Sequence, residues 1–303
     1  MRREREFFKP KNDGVYLHIY NRTVTLGQLD FPFSNDEKHM LRFIAEKFLI
    51  KYNIELISLV IMSNHFHMLV YCPATKMQIE DACIAYNKLH KKKFVKPIPI
   101  EDQRIKVLAE NSNNISEYLR EVQGEFSKWF NKSRPYKRKG SLWEDRFKSQ
   151  LIESDVYMWS CLKYLEMNPV RAGITRTPED YSFSTYGRWH NIGEHPYQNH
   201  FFKHISKLAN SKVSLEEIRE LMSLEMQQME LAGTITKLES QDQLIEANKL
   251  KKTLQEELRN KSYHLKAEII VFSKEDFLSG HIIGSKDFIK EKYRQWVRDK
   301  ESA

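Results

Sequence analysis

The sequence predicts an α+β fold, an antiparallel sheet with helices on one face and a second region built mainly of helices. Three observations predict it. Apolar runs over residues 14–152 alternate in the order strand, helix, strand, strand, helix, strand. Two of the strand runs are separated only by Ser63-Asn64, the length of a tight hairpin turn. Beyond about Tyr186 the strand pattern stops, and polar segments with helical spacing follow a loop rich in His, Gly and Asn. The expected division is therefore 1–190 for the sheet domain and 191–303 for the helical region.

Each element has its own signal. Residues 14–22, Gly-Val-Tyr-Leu-His-Ile-Tyr-Asn-Arg, read as the first strand. Ser34-Asn-Asp-Glu37 is a capping box, and Met40, Leu41, Ile44 and Phe48 recur behind it at helical spacing. Residues 55–62 and 67–71 are the arms of the hairpin, with His65 and His67 at the start of the second. Residues 76–93 read as a helix, and Pro97, Pro99 and the polar stretch to Asn114 as a loop. Helical periodicity returns through Ile115, Tyr118, Leu119, Val122, Phe126, Trp129 and Phe130, and 147–152 has the composition of a last strand. This order fits a ferredoxin-like split βαβ sheet whose uncovered face is left for a ligand. Ser154 can cap one more helix, with Val156, Trp159, Leu162 and Leu165 as its buried stripe and Asn168-Pro169 and Gly173 as its stop. In the second region Ser214-Leu-Glu-Glu217 caps a helical hairpin over 214–262, divided at Gly233, and a basic helix closes the chain at 285–299.

Composition narrows the function classes. No run of 18 apolar residues occurs and the N-terminus lacks the apolar stretch of a signal peptide, so a cytoplasmic protein is expected. Cys72, Cys83 and Cys161 are scattered without metal-ligand spacing, which argues against disulfides and zinc-thiolate sites. A formal charge of +8 is compatible with a polyanionic partner.

The chemistry centres on His65-Phe66-His67. Residues two apart on a strand share a face, so both imidazoles can converge on one metal ion while Phe66 points the other way. Tyr164 and Asn168, four residues apart on the helix that follows Ser154, would lie one turn apart on a common face. A phenol attacks poorly at neutral pH unless a cation stabilises its anion and a metal draws charge from the group attacked. His65, His67 and Asn168 could hold that metal. Two imidazoles and an amide oxygen suit Mn²⁺, Co²⁺ or Zn²⁺ by affinity, whereas cellular abundance and phosphate oxygens favour Mg²⁺, so Mg²⁺ or Mn²⁺ is expected. Glu166 reads as a solvated or salt-bridged carboxylate and His18 as a packed side chain. Arg22, Lys137, Arg138, Lys139, Arg146, Lys148 and Arg171 flank these positions and could contact the phosphates of a polyanionic partner. Trp143 and Tyr136 could stack on unpaired bases, worth about 1–3 kcal/mol each. No phosphate-binding Gly-rich loop occurs, so no nucleotide cofactor is expected.

Three blocks carry a resemblance. Met62-Ser-Asn-His-Phe-His-Met-Leu-Val70, Gly140-Ser-Leu-Trp-Glu-Asp-Arg-Phe-Lys148 and Tyr164-Leu-Glu-Met-Asn-Pro-Val-Arg-Ala-Gly173 resemble, in order and spacing, the signature blocks of the single-tyrosine HUH transposases, and among these the REP-associated tyrosine transposases. The similarity spans roughly residues 10–190; Pro178-Glu-Asp-Tyr-Ser-Phe-Ser-Thr-Tyr186 resembles the segment after the catalytic helix, and Ile282-Ile-Gly-Ser-Lys-Asp-Phe288 a motif near the end of longer members. The resemblance implies an HUH domain over 1–190 in which His65, His67 and Asn168 bind the metal and Tyr164 is the nucleophile. It implies single-stranded DNA as partner, at hairpin or repeat ends, and a 5′-phosphotyrosine intermediate that leaves a free 3′-hydroxyl. Two rivals remain at this point: a zinc-type metal hydrolase, and a domesticated nucleic-acid-binding protein without chemistry.

Overall fold

A computed structural model describes residues 14–24, 33–91, 96–134, 140–153, 155–206, 208, 213–259, 282–285, 287–292 and 294. The strands are β1 (Val15–Arg22), β2 (Glu55–Ile61), β3 (His65–Cys72) and β4 (Lys148–Ile152), joined by helices α1 (Asn35–Leu49), α2 (Ile79–His90), α3 (Gln103–Glu110) and α4 (Ile115–Lys132). They form one sheet in the order β2-β3-β1-β4, antiparallel throughout, which is the split βαβ arrangement. A short β5 (Ile282–Ile283) adds a parallel strand beside β4. Its two residues are too few to show a strand period; they open the segment 282–288, which only its motif resemblance marked.

The alternation of side chains decides which helices cover which face. Phe66 meets Trp143 edge to face at 5.6 Å, and Trp143 packs on Phe33 and Phe126. That face is apolar and lies under α1 and α4, whose Leu41, Ile44, Tyr118, Leu119 and Phe126 are buried. The capping box expected at Ser34 and Glu37 starts α1. Between α2 and α4, the stretch expected to be loop contains α3, capped by Asp102 on the amide of Arg104. Ile105 and Leu108 of α3 form a small separate cluster with Ala82 of α2.

The opposite face is polar and is not left uncovered. Four further helices follow β4: α5 (Asp155–Glu166), α6 (Asn168–Arg171), α7 (Thr185–Ile192) and α8 (Gln198–Ile205). Glu166 of α5 accepts from Ser58 Oγ of β2 at 2.6 Å, and His204 of α8 meets Glu55 of β2 at 2.6 Å, so α5 and α8 roof the β2–β3 half of this face. The expectation of helices on one side alone is corrected here. The signal existed, because Trp159, Leu162, Lys163, Leu165 and Glu166 are all buried, giving α5 no solvent-facing stripe over these positions.

Beyond residue 205 the chain forms α9 (Leu215–Ser240) and α10 (Leu244–Arg259), which pair as a hairpin. The second capping box, Ser214 with Glu217, is present. The division expected at Gly233 does not occur: α9 runs through it, and the turn falls at 241–243, where Asp242 takes φ 56°. A lone Gly costs a helix only about 1 kcal/mol, too little to stop one that packs. Residues 287–292 and 294 are helical, Ser285 is not, and the other positions of the expected terminal helix lie outside the described residues. The α9 helix is fastened to α5. Lys163 Nζ and Trp159 Nε1 both donate to Glu225 Oε2, all fully buried, the tryptophan bond at 2.7 Å. One cluster of buried apolar side chains runs from Tyr16 through Met229 to Ile283. Among the described residues no helix is long and apolar enough to cross a membrane.

Candidate active site

The strand register assembles the polar face row by row. Arg22 lies opposite His65, Tyr20 opposite His67 and Lys148, and His18 opposite Leu69 and Gln150. With period-two alternation, Tyr16, His18, Tyr20, Arg22, His65, His67, Lys148 and Gln150 therefore share one face. His65 Nδ1 is bonded to Asn64 Oδ1 at 2.6 Å, and His67 Nδ1 to His18 Nε2 at 2.9 Å. His18 Nδ1 in turn meets Gln150 Oε1 at 2.7 Å. The His65 and His67 rings stand perpendicular, centroids 5.1 Å apart.

Electrostatics hold these imidazoles neutral. Burial, with the Arg22 charge adding to it, lowers His65 to about 4. Burial likewise lowers His18 to about 4, against the opposing bond to Gln150. Burial and the neighbouring His18 and His65 put His67 well below the usual imidazole range. Neutral imidazoles are the form that binds metal.

The α5 helix brings Tyr164 to this face. Its ring is buried and lies 4.2 Å from the Arg171 guanidinium carbon. Burial raises the phenol above its ordinary value, and Arg171 pulls it back by charge and hydrogen bonding. Tyr20 links the two halves of the site. Its ring lies 5.9 Å from His67 and stacks on His18 at 5.2 Å, and its hydroxyl, raised first by burial, is raised further by Tyr164. Sequence reasoning passed over Tyr20 and Gln150 and left His18 as packing. The available signal was the alternate-residue run Tyr16, His18, Tyr20, which puts three polar aromatic groups on one strand face.

Asn168 opens α6 after a break in α5 at Met167, at the stop expected from Asn168-Pro169. The cause is Pro169, which has no N–H to give the carbonyl of Leu165 four residues back and whose ring crowds that carbonyl. Asn168 Nδ2 supplies the missing donor to Leu165 O at 3.1 Å. Among the described residues no hydrogen bond reaches Asn168 Oδ1. By type, two imidazole Nε2 atoms and one amide oxygen make a donor set that suits a divalent metal. Among the described residues no group of three His, Cys, Asp or Glu side chains is arranged to hold a metal.

Glu166 is corrected. It is fully buried, accepts from Ser58 Oγ at 2.6 Å and from the amide of Tyr186 at 3.0 Å, and is raised to about 7 by burial. It ties α5 to the sheet edge and to the start of α7. Trp143 is corrected as well. It is packed in the apolar core with Nε1 donating to Ser127 Oγ at 3.1 Å, on the face away from the histidines. Arg22, Arg146 and Lys148 are exposed, Arg22 paired with Glu144 at 3.3 Å. Tyr136, Lys137, Arg138 and Lys139 lie outside the described residues, as does the expected cap Ser154.

No family model matches the chain. A Haemophilus influenzae protein named "Putative REP-associated tyrosine transposase" is 23% identical over 170 residues, covering 56% of this chain and 80% of that one. The chain resembles the REP-associated tyrosine transposases. A solved structure of a REP-associated tyrosine transposase bound to a REP hairpin aligns with 18% identity and a TM-score of 0.41, over 65% of this chain and 90% of the other. The three blocks of the resemblance occupy separate parts of the fold: β3 carries the first, the approach to β4 the second, and the junction of α5 with α6 the third.

Proposed function

We propose that the chain cleaves and rejoins single-stranded DNA at hairpin or repeat ends through a 5′-phosphotyrosine on Tyr164. The observation that carries this reading is the convergence on one sheet face of two neutral histidines, each with Nδ1 engaged, and a tyrosine held under an arginine. The named H. influenzae relative supports it. Tyr164 Oη attacks the scissile phosphorus, and the bond from phosphorus to the 3′-oxygen breaks. The phenol proton passes to solvent and the departing 3′-oxygen leaves as a hydroxyl. Arg171 stabilises the phenolate, and Arg22 and Lys148, on the histidine face, hold the strand by its phosphates. His65, His67 and Asn168 Oδ1 would hold Mg²⁺ or Mn²⁺, which supplies Lewis-acid polarisation of the phosphate oxygens. An incoming 3′-hydroxyl reverses the step without ATP, because the phosphotyrosine conserves the energy of the broken bond.

The test uses labelled single strands from the DNA flanking the gene, with Mn²⁺ or with EDTA. An SDS-resistant adduct is expected from wild type with metal and from neither Tyr164→Phe nor the EDTA control. Cleavage that survives Tyr164→Phe would replace strand transfer by hydrolysis, and binding without any cleavage would leave a DNA-binding protein.

A further inference from the structure

We infer that His18 and Gln150 are positioning residues, a relay that fixes the proton on His67 Nδ1 and so leaves Nε2 as a bare lone pair facing the metal position. This rests on the proposed reading of His67 as a ligand. The chain of donors and acceptors determines the tautomers in sequence. Gln150 Oε1 is a carbonyl oxygen and can only accept, so His18 Nδ1, 2.7 Å away, carries a proton and donates. A neutral His18 with its proton on Nδ1 has a lone pair on Nε2, which accepts from His67 Nδ1 at 2.9 Å. His67 then has its proton on Nδ1 and none on Nε2. Asn64 Oδ1 imposes the same state on His65 at 2.6 Å.

The position of the relay in the fold supports a dedicated role. It crosses three strands, from Gln150 on β4 through His18 on β1 to His67 on β3, and His18 and Gln150 are each 1% exposed. A buried side chain on a sheet is ordinarily apolar, and an isosteric apolar residue at position 18 would avoid desolvating an imidazole. Ligand histidines generally have their second nitrogen bonded by a partner that sets tautomer and ring orientation, and losing that partner lowers metal affinity by about 10–100-fold. Here the partner is a second histidine, itself oriented by an amide.

The experiment combines long-range ¹⁵N–¹H NMR of the histidine rings in metal-free protein with Mn²⁺ titration followed by EPR. Wild type is expected to show His67 with the proton on Nδ1. His18→Phe should allow His67 to move its proton to Nε2 and should weaken Mn²⁺ binding by about 10–100-fold. Gln150→Leu should act in the same direction with a smaller loss. Gln150→Glu retains an acceptor and should keep both the tautomer and the affinity, which a merely structural glutamine would not require. His204→Phe, also buried on this face, is the control for general loosening and should leave both readouts unchanged. His67 found with its proton on Nε2 in wild type would overturn the relay. So would Mn²⁺ affinity that is unchanged in a folded His18→Phe, or in Gln150→Leu if His18→Phe does not fold. Adduct formation that fails while the affinities change as expected would sink the strand-transfer reading and leave the relay standing.

Discussion

The polar sheet face carries two imidazole-centred networks that end differently. Near one end, Gln150, His18 and His67 form a chain that stops at His67 Nε2, which meets no hydrogen-bond partner among the described residues. At the other end, His204 is closed on both sides: Tyr16 Oη meets its Nδ1 at 2.8 Å and Glu55 meets its Nε2 at 2.6 Å, while Lys203 pairs with the same carboxylate at 2.5 Å. Both rings are buried, and both networks span elements distant in sequence. The closed network satisfies its own polar groups and so fastens α8 to β1 and β2. In the open one, burial has the same cost, but one lone pair is left available. The difference separates a polar group that holds the fold from one that the proposed function would use.

That contrast can be broken most sharply at the nucleophile. Tyr164→Phe should remove the covalent adduct below detection on an SDS gel, whereas Tyr16→Phe, which opens the closed network, should change the adduct yield of folded protein by no more than about threefold. Stability should show the reverse ranking. Glu55→Leu strips His204 and Lys203 of their shared partner and should cost about 1–3 kcal/mol in urea denaturation, with Mn²⁺ affinity unchanged. A larger stability loss is expected at the α5–α9 seam. Glu225→Ala leaves Lys163 buried and unpaired, worth about 3–5 kcal/mol. The double replacement Lys163→Met with Glu225→Leu should recover most of that loss in the same measurement.

Acid should undo the two networks in separate windows. His18 is lowered to about 4 in the fold, so below the ordinary imidazole value near 6.5 the unfolded chain binds more protons. The open network therefore loses stability as pH falls from 6.5 toward 4. Glu55, although burial opposes it, is held down to about 2 by His204 and Lys203, and its contribution is lost between about 4.5 and 2. Thermal melts from pH 7 to 3 should show the first decline in wild type and a weaker one in His18→Phe. The smallest effect concerns DNA. Arg22→Gln should reduce the slope of log affinity against log salt by about 0.7 for a single strand, while Trp143→Phe, being on the apolar face, should leave it unchanged.

The strands, α1, α4 and α5 were legible because each has its own period and punctuation. The capping boxes at Ser34 and Ser214 mark their helices by a local rule that involves only four residues. The His65-Phe-His67 spacing likewise needed only the strand period to put both rings on one face. The other errors share a cause. Trp143 could equally stack on a base or be buried by sequence alone, and only its seat among Phe33, Phe66 and Phe126 shows that it is buried. Glu166 looked solvated because nothing nearby in sequence reveals Ser58, 108 residues away.

By itself the sequence determined the elements, their order, and the residue types able to bind a metal and to attack phosphorus, since periodicity, capping and spacing are properties of neighbours along the chain. The tertiary structure decided the partners of each functional atom: Gln150 and His18 behind His67, Arg171 over Tyr164, and Glu225 behind the nucleophile helix. Hydrogen bonds and charge pairs depend on distances of a few ångströms between groups from seven to more than a hundred residues apart in sequence, and strand register and helix packing set those distances.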